Sequence, residues 1–149
     1  MKRNIKLEWF FDYSPEQIWE CLTNPELLKE WMGIQSFKAE VGFEFTQKQK
    51  PKPAMKWDGM MYHTVLEVVP IEKLSYSFQG GPKPGVITLD TIVTWRLSPK
   101  KNGTVLVLEH TGFEGAKNIL SSMFMELGWK NHIAKKFKKA LKAHYYEKN

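Results

Sequence analysis

Cysteine is nearly missing from this chain of 149 residues, because Cys21 is the only one. A single cysteine cannot form an internal disulfide, so the fold must hold without one. Cys21 falls on the apolar side of a predicted helix and is interpreted as a small core residue. Nothing in this cysteine usage indicates an oxidising compartment, and a cytoplasmic location is the default expectation.

Long apolar runs are also missing. No stretch approaches 18 apolar residues, so we predict no membrane span. The first residues are basic but are followed by no continuous apolar segment and no small-residue cleavage site. We therefore interpret them as a first strand and not as a signal peptide.

Signatures of metal, cofactor or nucleophile chemistry are lacking too. One cysteine and four scattered histidines give no metal-ligand spacing. There is no Gly-x-Ser-x-Gly motif, and the loop from Gly80 to Gly85 lacks the Gly-Lys-Ser/Thr ending of a phosphate-binding loop. We predict no metal, no cofactor and no catalytic residue, and the balance favours a protein that is not an enzyme.

Charge of one sign is in excess. The net charge is +6, and lysines concentrate at 48–56 and 130–148. We predict no nucleic-acid binding, because neither segment carries interleaved exposed aromatics or a recognisable reading motif. The helical lysines are expected on a solvated face, with an acidic protein partner as the alternative. They are Lys130, Lys135, Lys136, Lys138, Lys139, Lys142 and Lys148.

Aromatic residues, in contrast, are abundant at 13%, with six tryptophans and nine phenylalanines. The length fits one domain over residues 1–149, large enough to bury a sizeable core. The rings either fill an aromatic core or line a space that is not fully packed.

Two short helices are predicted after an opening strand at residues 3–12. Ser14-Pro15-Glu16-Gln17 supplies a cap, a proline at the first helical position and a capping box. Asn24-Pro25-Glu26 repeats the signal, and Gly33 ends the second helix.

Alternating apolar residues then predict a series of strands. A hairpin is expected from residues 37–40 and 43–47, joined by Val41-Gly42. Further strands are expected at 56–69, 74–78, 87–97 and 104–113, separated by segments rich in proline and glycine.

From about Ala116 the period changes to 3.6, which predicts a final helix of roughly 30 residues. Its apolar side is predicted from the spacing of Leu120, Met123, Leu127, Ala134, Phe137, Leu141 and Tyr145. Gly128 interrupts this helix, where glycine costs about 1 kcal/mol relative to alanine. Either the middle of the helix faces open space, or Gly128 permits close contact with the sheet.

Five local patterns in this order carry a resemblance. They are residues 11–19 (FDYSPEQIW), 23–31 (TNPELLKEW), 65–74 (VLEVVPIEKL), 103–113 (GTVLVLEHTGF) and Gly128-Trp129. Together they resemble the START-like or Bet v 1-like superfamily (SRPBCC), and within it the family named for the C-terminal domain of the activator of Hsp90 ATPase. The resemblance covers essentially the whole chain.

The resemblance implies an α+β helix-grip fold, an antiparallel sheet of six to seven strands wrapped around the long C-terminal helix, with a cavity between them. Members of the superfamily bind small apolar molecules, and a few are cyclases or hydrolases. The namesake stimulates a chaperone ATPase with an additional N-terminal domain, a feature that this sequence does not contain.

A small, mainly apolar ligand is therefore the expected partner, with a co-chaperone-like interaction module as one alternative. A cyclase- or hydrolase-like enzyme using His110 is the other, against a structural role for this histidine. Loop lysines 48, 50, 52 and 56 are candidates to bind an anionic ligand head group. The residues expected to line the cavity are Trp57, Tyr62, Phe78, Trp95, His110, Phe113, Phe124 and Trp129.

Overall fold

The computed structural model describes residues 2–145. The first strand, β1 (Lys2–Phe11), is followed by two short helices, α1 (Pro15–Thr23) and α2 (Pro25–Trp31). Both helices start as the sequence predicts. The Ser14 hydroxyl accepts from the Gln17 N–H, the Gln17 side chain accepts from the Ser14 N–H, and the Asn24 side chain accepts from the Glu26 N–H.

Five further strands follow. They are β2 (Glu44–Lys48), β3 (Met60–Val69), β4 (Lys73–Gly80), β5 (Leu89–Lys100) and β6 (Gly103–Glu114). Within residues 2–145 the strands form one antiparallel sheet in the order β1-β6-β5-β4-β3-β2. The first and last strands, β1 and β6, therefore pair with each other although most of the chain lies between them.

The predicted hairpin at residues 37–47 is wrong in its first half. Residues 37–40 form no strand, and β2 begins only at Glu44. Phe37 is buried against Phe43 and Phe45, with ring centroids 6.2 and 5.1 Å apart. The segment turns locally, with the Glu40 N–H bonded to the Lys38 carbonyl at 2.9 Å, so Phe37 packs beside the edge strand while its backbone stays outside the hydrogen-bonded ladder.

The β5–β6 hairpin is tighter than predicted. The ladder continues through Pro99 to the pair Lys100 and Gly103, so Lys101 and Asn102 alone form the turn. Lys101 adopts a φ of 54°, as two-residue hairpin turns require.

The last part of the chain that the structure describes is one continuous helical rod of 30 residues. It consists of α3 (Ala116–Asn131), a wider π-helical segment (His132–Phe137) and α4 (Lys138–Tyr145). The rod lies on the concave face of the sheet together with α1 and α2, as the helix-grip fold requires. Side chains on that face form the core, where Trp31, Trp95 and Phe137 are almost fully buried.

The predicted apolar side of this helix is wrong in its first half. Leu120, Met123 and Leu127 are 57, 50 and 59% exposed, whereas Ser122 and Trp129 are buried. At about 100° per residue, an uninterrupted α-helix would place Leu141 and Tyr145 within about 60° of Leu120. The π-helical turn holds one extra residue, which rotates everything after it by about 100° and turns Leu141 and Tyr145 to the core face.

Ala134, also assigned to the apolar side, is exposed, and Ile133 is buried in its place. Within the described residues, no helix is long and apolar enough to cross a membrane.

Candidate functional site

A cavity of 240 Å³ lies between the concave face of the sheet and one flank of α3. Its floor is built from inward-pointing strand residues, including Gln47 of β2, Met61 of β3 and Phe78 of β4. These residues share a face because successive side chains of a strand alternate between the two sides of the sheet.

The wall opposite the sheet is the flank of α3. Asn118, Ser121, Met125 and Gly128 line the cavity there, at the i, i+3, i+7 and i+10 positions that share one side of a helix. A β-carbon added at Gly128 would meet no atom within 4 Å. The middle of this helix therefore faces open space, and the alternative of close helix–sheet contact at Gly128 is wrong.

The rim is a lysine-bearing turn between β2 and β3, from Lys52 to Trp57. Lys52, Met55, Lys56 and Trp57 all line the cavity. Lys52 and Lys56 are exposed, as is Phe124 on the opposite side, so the cavity opens to solvent between them. Of the four loop lysines singled out in the sequence, Lys48 and Lys50 are not among the lining residues.

Four of the eight residues predicted to line the cavity do so. Trp57, Phe78, Phe124 and Trp129 contribute to its wall. The Trp57 indole donates to the Met60 carbonyl at 2.9 Å, which fixes the ring beside Gly80.

Tyr62 does not line the cavity. It stands between Met61 and His63 on β3, and both of those neighbours are buried on the concave side. By alternation, Tyr62 points to the other face of the sheet. The expectation that Tyr62 lines the cavity is therefore wrong.

Trp95, His110 and Phe113 lie behind the cavity wall rather than at it. All three are at most 1% exposed. Trp129, which lines the cavity, packs against two of them: its ring centroid lies 5.4 Å from that of Trp95 and 6.2 Å from that of His110. Phe113 packs against His110 in turn, with ring centroids 4.6 Å apart. These three residues support the wall, and the expectation of direct lining is corrected for them.

His110 is the centre of a hydrogen-bonded chain. The Trp129 indole donates to His110 Nδ1 at 3.1 Å, so the ring proton sits on Nε2 and is donated to Thr91 Oγ1 at 2.8 Å. Thr91 in turn donates to the Phe78 carbonyl at 2.7 Å. Burial, with a smaller effect from His63, lowers the pKa of His110 to about 3.

This arrangement supports the structural interpretation of His110. Both ring nitrogens are engaged and the ring is neutral near pH 7, so no lone pair is available to take a proton from a substrate. The hypothesis of an enzyme that uses His110 as a base has no support in the geometry.

His63 occupies a similar place on β3. Its Nδ1 lies 2.9 Å from the Ser77 carbonyl and its Nε2 2.8 Å from Oε1 of Gln47. Gln47 also donates to the Met32 carbonyl at 2.8 Å, which ties the cavity floor to the end of α2. Burial lowers the pKa of His63 to about 4, partly offset by the Ser77 carbonyl.

Sequence reasoning missed most polar lining residues. Gln47 could have been found from alternation with the neighbouring apolar residues of its strand. Asn118, Ser121 and His132 could not, because the sequence gives the helix period but not which flank faces the sheet.

A curved antiparallel sheet that holds a long terminal helix, with a cavity between the two, defines the helix-grip class of Bet v 1-like proteins. Within that class, the chain belongs to the activator of Hsp90 ATPase homolog 1-like protein family, whose model matches residues 12–142. No curated protein matches the chain.

Solved structures share this fold. Protein MLL2253 from Mesorhizobium loti is 28% identical over 95% of this chain and 98% of its own, with a TM-score of 0.79. The solution structure of the Aha1 dimer from Colwellia psychrerythraea is 20% identical over 89% of this chain and 91% of its own, with a TM-score of 0.68. CalU16 from Micromonospora echinospora is 21% identical over 95% and 83%, with a TM-score of 0.63.

Proposed function

We propose that this chain binds a small, mainly apolar ligand in the cavity between the sheet and α3. The observation that carries the proposal is the unfilled volume of 240 Å³ beside a core that is otherwise densely packed with aromatic rings. Such a void forfeits packing energy unless something occupies it, because its lining atoms lack contacts on one side.

The lining fits a ligand of this kind. Met32, Met55, Met61 and Met125 supply flexible apolar surface, and thioether side chains adapt to irregular shapes. A cavity of ~150 Å³ holds benzene, so one of 240 Å³ suits a ligand of about two rings or a medium-length acyl chain.

The experiment pairs a ligand screen with a cavity-filling variant. Native mass spectrometry of freshly purified protein is followed by a fluorescence screen of acyl and aromatic compounds, using Trp57 and Trp129 as reporters. Ser121→Phe should abolish binding because its ring enters the cavity. Asn131→Phe, an exposed position on the same helix outside the lining, should leave binding unchanged. Absence of both a co-purified mass and fluorescence quenching across the panel would exclude ligand binding.

A protein-interaction module is the second candidate, favoured by the outer surface of the terminal helix. Leu120, Met123 and Leu127 expose an apolar row, and Lys135 and Lys139 expose positive charge further along. Lys148, assigned to the same basic face, lies outside the described residues. Capture of an acidic protein that survives Ser121→Phe but is lost on Lys135→Glu with Lys139→Glu would favour this function.

A further inference from the structure

The rim of the cavity holds its lysines in a defined conformation. The turn from Lys52 to Trp57 is closed by two backbone hydrogen bonds, from the Lys52 N–H to the Trp57 carbonyl at 3.0 Å and from the Trp57 N–H to the Lys52 carbonyl at 3.3 Å. A single 3-10 turn, Pro53–Met55, lies between them. Lys56 adopts a φ of 54°, a left-handed conformation that residues other than glycine adopt rarely and at some energetic cost.

The turn brings Lys56 against Lys117, which lies in the first turn of α3. Lys117 directly precedes Asn118, which lines the cavity. Its side chain contacts that of Lys56, and this contact together with the repulsion between the two positive charges lowers the pKa of Lys117. Among residues 2–145, no carboxylate forms an ion pair with Lys52, Lys56 or Lys117. Positive charge therefore accumulates at this rim without a protein counter-ion.

The helix end beneath these lysines adds to the positive potential. The N-cap of α3 is Gly115, no side chain caps the first turn, and that turn contains no acidic residue. A helix N-terminus carries a partial positive charge, which a lysine such as Lys117 increases rather than offsets.

The residues that line the cavity likewise carry charge of only one sign. Among the described lining residues there is no aspartate or glutamate, and the charged ones are Lys52 and Lys56. Below this rim the wall is mainly apolar, with Met55, Phe78 and Phe124 facing the space. The Ser121 hydroxyl makes no hydrogen bond within residues 2–145 and lines the cavity, which leaves it free for a ligand oxygen.

We propose that the ligand is an amphiphile with one carboxylate, held by Lys56 and Lys117 at the rim, whose apolar body lies between Phe78, Phe124 and Met55. The proposal rests on the proposed function, since it names the chemical class that the cavity takes. The carboxylate neutralises the repulsion between the two ammonium groups, and the apolar body replaces the missing packing contacts.

Calorimetric titration with matched pairs of compounds tests it. Decanoate is compared with 1-decanol, and 2-naphthoate with 2-naphthalenemethanol, at low ionic strength and again at 0.5 M salt. Each acid should bind about tenfold more tightly than its alcohol at low salt, and the advantage should shrink at high salt because the rim is exposed. Equal affinities for acid and alcohol would overturn the carboxylate assignment while leaving the ligand-binding function in place.

The double variant Lys56→Met with Lys117→Met identifies the source of the preference. It keeps most of the length of both side chains and removes both charges. The acids should lose about tenfold in affinity, whereas the alcohols should change by less than threefold. Lys139→Met, an exposed lysine outside the lining, is the control and should change neither.

Two further results would contradict different parts of the proposal. An acid preference that survives in the double variant would refute the role of these two lysines. Binding of neither member of either pair would count against the ligand-binding function itself, as would a mass spectrum without a bound species.

Discussion

Trp129 joins the cavity to the core through one hydrogen bond. Its ring forms part of the cavity wall, and its indole N–H satisfies His110, which is fully buried. The sequence identifies both residues as interior candidates. It does not reveal that they bond to each other, because they lie on different elements, 19 residues apart.

Replacing Trp129 by phenylalanine should therefore destabilise the fold by about 1–3 kcal/mol. The change leaves His110 Nδ1 as a buried acceptor without a donor, and an unsatisfied buried polar atom carries its full desolvation cost. Urea unfolding measures the effect. Trp19→Phe is the matched control and should cost clearly less, because Trp19 is only half-buried and its indole makes no hydrogen bond among the described residues. Equal losses would argue against the chain of hydrogen bonds through His110.

The two buried histidines predict a pH dependence of stability. His63 and His110 have lowered pKa values of about 4 and about 3, whereas the unfolded chain takes up protons on them near pH 6.5. Between these limits the unfolded state binds more protons. The free energy of unfolding therefore keeps its whole value above pH 6.5. It decreases as the pH drops, by up to ~1.4 kcal/mol per pH unit for each histidine.

Chemical denaturation at pH 7.0, 6.0 and 5.0 checks this expectation. His63→Gln removes one of the two titrating groups, so its stability should fall less steeply over the same range, whatever its stability at pH 7. An unchanged slope in the variant would mean that His63 is not neutral in the folded protein.

At the scale of the element, Gly128 is the simplest position to test. It stands inside α3 with helical backbone, and an added β-carbon would meet open space. Gly128→Ala should raise stability by about 0.5–1 kcal/mol, because alanine restricts the unfolded chain and favours the helix. Thermal or urea unfolding gives the value. A loss of stability would show that Gly128 is needed for close packing after all.

The π-helical segment decides which side of the terminal helix faces the core. Deleting Lys135, an exposed residue within it, removes the extra residue, so regular α-helical winding should return with Phe137, Leu141 and Tyr145 still facing the core. We expect cooperative unfolding to be retained, as measured by circular dichroism, whereas inserting an alanine after Lys135 should rotate these residues by about 100° and abolish it. Lys135→Ala, which keeps the residue count, should unfold like the parent protein.

At the scale of the whole molecule, occupancy of the cavity should control stability. A ligand that binds only the folded state stabilises it by mass action, by about 2.7 kcal/mol at a concentration of 100 times Kd. Differential scanning fluorimetry with the best compound of the screen should show Tm rising with concentration. Ser121→Phe should show no rise, while its ligand-free Tm stays near or above that of the parent, because the added ring occupies the void.

The sequence alone determined the element order, the two capped helices and the long terminal helix. These follow from local signals, namely Ser14 and Asn24 as caps, the period of 2 in the strands and the period of 3.6 after Ala116. It also indicated Trp57, Phe78, Phe124 and Trp129 as large rings near the interior.

Tertiary structure decided the rest. Whether residues 37–40 pair as a strand depends on a partner edge, and which flank of α3 faces the sheet depends on one extra residue in the π-helical turn. That Lys56 lies beside Lys117 also depends on the tertiary structure, because 60 residues of the chain lie between them. Local patterns set the periodicity of an element, whereas its rotation and its neighbours follow from packing between elements that are distant in sequence.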